Sequence, residues 1–164
     1  MSQLPTNPKI NPETPALKRV RTLAYMLDNS IPIPGTSRRV GLDPLLGLIP
    51  GGGDVASAIV SAYIVLEAAR FGLPRETLMR MLANLATDTV LGSLPLLGDL
   101  FDATWKSNSR NVALLEAHAR NPHPQKAADR KFIALVVVAL ILFVAATAAI
   151  AALVVSLVLK LING

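Results

Sequence analysis

From Phe132 to Leu159 the chain runs 28 residues without a charge: FIALVVVALILFVAATAAIAALVVSLVL. About 20 consecutive apolar residues cross a bilayer core as a helix, so this run predicts a transmembrane helix over 132–160 with length to spare for tilt. A core helix of a soluble domain is rarely so apolar on every side. Arg120, Lys126, Arg130 and Lys131 precede the run, and only Lys160 follows it. Cationic flanks mark the cytoplasmic side. The expectation is a single-pass protein of the bacterial inner membrane, with residues 1–131 cytoplasmic and the C-terminus outside.

Ala145 and Ala149, and Ala148, Ala152 and Ser156, recur at four-residue steps within the run. Small side chains at that spacing let helices approach closely, so a homodimer through this helix is one expectation. Plain abundance of alanine is the simpler one.

The remaining residues read as all-α. Residues 1–14 carry Pro5, Pro8 and Pro12 and no apolar core, which predicts a disordered tail rather than a signal peptide. Thr14-Pro15 is a helix start, and Leu17, Val20, Ala24 and Leu27 follow at helical spacing, predicting a helix over 15–29. Its Lys18, Arg19 and Arg21 form a basic face, solvated or drawn to anionic lipid. Ile31-Pro-Ile-Pro-Gly35 is extended or turning. Further helices are expected over 54–71, stopped by Gly72, over 74–91, and over 99–119. Residues 121–131 are a basic linker. No strand pattern of any length is present.

Composition narrows the function. The chain has no Cys, which excludes thiolate zinc sites and Cys nucleophiles. Its net charge of +5 is spread along the sequence and only seven residues are aromatic, which argues against nucleic acid as a partner.

Residues 43–54 (DPLLGLIPGGGD) and 88–99 (DTVLGSLPLLGD) share Asp, Gly, Pro and Gly-Asp at matching steps, 45 residues apart. They predict a duplicated helix–glycine/proline break–helix unit, with copies over about 43–71 and 88–119, inside a helical repeat domain spanning 15–120. Asp54 and Asp99 then stand where a helix N-cap belongs. A second reading stays open. No Lys or Arg occurs from Val40 to Ala69 or from Met81 to Trp105, yet these stretches hold Asp43, Asp54, Glu67, Asp88, Asp99 and Asp102. If the copies pack about a pseudo-two-fold axis, Asp43, Asp54, Asp88 and Asp99 converge as oxygen ligands suited to Mg²⁺ or Ca²⁺. The glycine triplet Gly51-Gly52-Gly53 is no phosphate loop, because the Gly-Lys-Ser/Thr ending is missing. Arg80 and Asn84 lie on a polar line of the third helix, and Asn108 and Asn111 are polar candidates within the fourth. His118 and His123 have no neighbouring ligand set.

Residues 55–66 are apolar enough to enter lipid, but the matching part of the second copy contains Lys106 to Asn111. That favours a cytoplasmic or membrane-resting domain, with partial insertion of the first copy left open.

Several of these residues also carry a resemblance. Leu27-Asp28, Ile31-Pro-Ile-Pro-Gly35, Gly41-Leu-Asp-Pro44, Gly47-Leu-Ile-Pro50 and Gly53-Asp54 resemble the bacterial family called domain of unknown function 4112. So do Arg80-Met81, Asn84, Asp88, Gly92, Pro95, Gly98-Asp99, Phe101-Asp102, Asn108 and Arg110-Asn111. The resemblance covers about residues 20–120 and implies a small membrane-associated bacterial protein, with no activity attached. The leading expectation is therefore a membrane-anchored module binding an unknown protein partner or the lipid bilayer. The alternative is a cation-binding or transport-related protein, and a metal-dependent hydrolase comes last.

Overall fold

The computed structural model describes residues 14–37, 39–42, 46, 52–92, 106–120 and 127–163. Five helices are described: α1 (Pro15–Asn29), α2 (Gly53–Arg70), α3 (Arg75–Gly92), α4 (Ser107–Arg120) and α5 (Arg130–Asn163). The all-α expectation holds. The tail before Thr14, most of the first glycine–proline break and residues 93–105 of the second lie outside the described residues. So do Asp43, Asp99 and Asp102.

Local chemistry sets the helix ends. Thr14 caps α1, its hydroxyl accepting from the Leu17 amide at 3.4 Å, with Pro15 at the first helical position. Gly72 follows α2 at φ +74, where the left-handed backbone suits glycine. Its amide donates to Ala69 O, and the Leu73 amide to Ala68 O, closing the helix end. Asp129 starts α5 by accepting from the Phe132 amide at 2.8 Å. After α1 the expected extended segment is present, and it adds a detail that no alternation pattern signals. Ile31–Pro32 (β1) pairs antiparallel with Arg39–Val40 (β2), around a turn with Gly35 at φ +78. Two-residue strands leave too little sequence for a period to show.

Helix α2 is the centre, touching all four other helices. Its inner side meets Leu17 and Val20 of α1, Leu78 and Met81 of α3 and Leu115 of α4 in one apolar core. The first three turns of α5 join that core through Phe132, Val136 and Leu140. The Ala128 amide donates to Leu73 O at 3.3 Å and Ala127 bridges Pro74, so the start of α5 is level with the end of α2. At the other end Val55 lies beside Ala148, Ala151 and Ala152. Helices α2 and α5 therefore run antiparallel along their contact.

Two glycines mark close backbone approaches. A Cβ on Gly41 would sit 1.2 Å from Leu27 O, and one on Gly53 would sit 1.6 Å from Leu46 O. The Leu42 amide donates to Met26 O at 3.0 Å. These contacts tie the loop after β2 to the end of α1, and the start of α2 to that loop.

Candidate functional site

The most concentrated polar group in the fold joins the end of α1 to the start of α4. Asp28 occupies the last turn of α1 on the same stripe as Val20 and Ala24, so helical geometry turns its carboxylate inward. It is buried. Oδ1 accepts from Asn108 Nδ2 at 3.0 Å, and Oδ2 from the Ser109 amide at 2.6 Å. The carboxylate thus supplies, from another helix, the acceptor that an N-cap residue normally provides, and it sits at the positive end of the α4 dipole. Burial pushes the Asp28 carboxyl above the ordinary range. The Asn108 and Ser109 hydrogen bonds and the charge of Lys106 pull the other way without cancelling it.

Neighbours extend the network. Asn29 Nδ2 donates to Ser109 Oγ at 2.8 Å. Lys106 Nζ donates to Asn29 Oδ1, and to Arg39 O at 2.8 Å. Arg39 Nε donates to Asn29 O at 3.0 Å, and its guanidinium lies 5.7 Å from the Tyr25 ring centroid. One turn further along α4, fully buried Asn111 donates to Met81 O at 3.2 Å and accepts from Asn84 Nδ2 at 2.9 Å, which ties α3 to α4. Ser107 Oγ and Asn108 Oδ1 are buried without a protein partner among the described residues.

Of the residues singled out in the sequence, the fold brings Asn84, Asn108 and Asn111 to this junction. Arg80 is exposed on α3, Asp54 is exposed in the first turn of α2, and Asp88 is half-buried near the end of α3. Among the described residues no three His, Asp or Glu side chains are grouped to hold a metal ion. The proposed meeting of four aspartates depends on Asp43 and Asp99, outside those residues. Ala148, Ala152 and Ser156 border one surface groove with Val55 of α2, Ala148 half-buried and Ala152 and Ser156 exposed. In the sequence Asp28 stands out only through the family resemblance, not as a site residue. Its signal was present, a carboxylate on the apolar stripe Val20–Ala24–Leu27. Asn29, Lys106 and Ser109 gave none.

The fold defines a class: a small helical domain joined to the one described helix long and apolar enough to cross a membrane, with a mean hydropathy of 3.0 in its best window. A family model, "Domain of unknown function (DUF4112)", matches residues 16–119, and the chain belongs to that family. A protein of Saccharomyces cerevisiae described as an uncharacterized membrane protein is 29% identical over 105 residues, covering 63% of this chain and 44% of the relative. The chain spans less than half the length of that relative. No solved structure matches.

Proposed function

We propose that the chain is a membrane-anchored helical module that binds an acidic partner protein at the cytoplasmic membrane face. In this reading α5 crosses the bilayer, and the cationic flank before it keeps the helical domain on the cytoplasmic side. The observation that supports binding is charge placement on the α1–α4 pair. Lys18, Arg19, Arg21, Arg110 and Arg120 are exposed there. The two helices contribute two acids, buried Asp28 and Glu116, the latter accepting from Arg21 at 2.7 Å and Arg120 at 3.2 Å. An excess of one sign on one side steers a partner of opposite charge. The Asp28 network, by contrast, spends its polar groups on joining helices.

The test uses the full chain in phosphatidylcholine nanodiscs titrated with poly-glutamate. Expected are binding that weakens as salt rises, and loss of most affinity in Lys18→Glu with Arg19→Glu. Binding indifferent to both would sink the reading. Binding to phosphatidylglycerol nanodiscs with none to poly-glutamate would make lipid the partner instead. The cation-binding alternative rests on the sequence repeat of Asp43, Asp54, Asp88 and Asp99. It predicts a thermal shift with millimolar Mg²⁺ or Ca²⁺ that Asp54→Asn with Asp99→Asn abolishes. No shift with either ion would end it.

A further inference from the structure

We infer that the N-terminal half of α2 lies at hydrocarbon depth beside α5, as a re-entrant helix, with lipid acyl chains covering the outer side of the α2–α5 pair. The inference rests on the proposed reading of α5 as a membrane span.

Length forces the first step. Ala151 is buried against the start of α2. Beyond it α5 has twelve residues, to Asn163. At about 1.5 Å per residue they cover roughly 18 Å, against a bilayer core of about 30 Å. The free end of α5 is therefore too short to cross alone. A span of about 20 residues ending before Lys160 must begin near Leu140, and from there to Ala151 α5 is in contact with α2. Ile59 and Tyr63 line one groove with Ile141, Val144 and Ala148. Whatever depth Ile141 and Ala148 reach, Ile59 shares.

The chemistry of α2 fits that depth. Residues 55–66 carry no charge. Twelve residues of helix reach about 18 Å, enough to enter the core but not to cross it. Ile59 is 52% exposed, and so are Ile141 and Leu142 at 62% and 63%, giving α2 and α5 one continuous apolar outer surface. Ala148 and Ala151 on the α5 side let the two backbones come close without a hydrophobic drive, which lipid does not supply.

Charge is polarised along the same axis. Arg70, Arg75, Arg130 and Lys131 gather at the end of α2 and the start of α5, away from the inserted tip. Toward the tip end Asp28 bonds to Asn108 and Ser109, and Lys106 and Arg39 bond to Asn29, while Asp54 in the first turn of α2 is exposed. These hydrogen bonds lower the cost of holding Asp28, Lys106 and Arg39 in the low dielectric near lipid, where unpaired groups are costly.

The chain has no Cys, so single labels can be placed cleanly. Nitroxides at Ile59→Cys on α2, Ile141→Cys on α5 and Met79→Cys on exposed α3 would be read in the full chain, reconstituted in phosphatidylcholine–phosphatidylglycerol vesicles. Collision with dissolved oxygen and with a water-soluble nickel chelate reports depth. The expected result is that Ile59 and Ile141 both favour oxygen several-fold over the chelate while Met79 favours the chelate. If Ile59 behaves like Met79 while Ile141 favours oxygen, α5 spans and α2 does not insert, which overturns the inference alone. If Ile141 also favours the chelate, the span itself is wrong and both readings fall.

Discussion

Two contacts hold this fold together, and they are built on opposite principles. At the α1–α4 junction and the adjoining α3 contact a buried carboxylate, four asparagines and a lysine bond to one another and to backbone, so each partner has one acceptable position. Along α2–α5 the contact is Phe132, Val136 and Leu140 followed by Ala148 and Ala151. A polar junction specifies geometry and fails sharply when one member is removed, because the others remain buried and unpaired. An apolar contact is graded, and its strength depends on what replaces it. In water the alternative is costly exposure, whereas in lipid the acyl chains are equally apolar. The domain is thus fixed internally by directional bonds and fixed to its anchor by shape.

The contrast breaks most visibly at Gly41. An added methyl there would meet the Leu27 carbonyl oxygen and force the loop off the end of α1. Gly41→Ala should destabilise by about 4 kcal/mol, among the larger effects of a single substitution. Denaturant unfolding of the detergent-solubilised chain measures it, and a loss under about 1 kcal/mol would show that the α1 terminus adapts freely. Asp28→Ala comes next, at about 3 kcal/mol, since it leaves the Ser109 amide and the buried Asn108 Nδ2 without their acceptor. Leu140→Ala should cost less, about 2 kcal/mol, because detergent or lipid can refill the gap. If Leu140→Ala proved worse than Asp28→Ala under the same conditions, the apolar contact would be the specific one and the comparison would reverse.

How much of this was legible beforehand depended on whether the signal was local. Helix α1 runs from Pro15 to Asn29 as its cap and apolar spacing indicate, and Gly72 stops α2 where a left-handed residue was called for. The apolar run of α5 needed no partner to be recognised. The described part of α4 starts at Ser107, later than the repeat suggests, and residues 99–105 lie outside the described set. The placement of α2 along α5 was invisible, because apolar residues at 55–66 look the same whether protein or lipid covers them. Asn84 was legible as a polar residue and illegible as Asn111's partner, since a pair 27 residues apart leaves no periodic trace. The same holds for Asp28, whose partners come from α4.

The finest discrimination between the two contacts is their response to acid. Burial holds the folded-state pKa of Asp28 above its unfolded value. Between those two values the folded chain binds more protons than the unfolded chain, so stability falls as pH rises through this window. Above both values the ionised carboxylate leaves the fold less stable than it is in acid. Asp28 therefore opposes the usual carboxylate pattern, in which acid destabilises. Asp28→Asn removes the titration. Its amide oxygen still accepts one hydrogen bond, while its NH₂ meets a donor where Oδ2 had stood, so this variant should be less stable at neutral pH. The difference between the parent chain and Asp28→Asn should then widen as pH is lowered from 7 toward the unfolded carboxyl value. Leu140→Ala, lying at the apolar contact, should track the parent at every pH. Unfolding curves for the three proteins across that range are the measurement. A constant gap between the parent and Asp28→Asn would mean that the hydrogen bonds from Asn108 and Ser109 fully offset burial, and that the junction holds its charge at no cost.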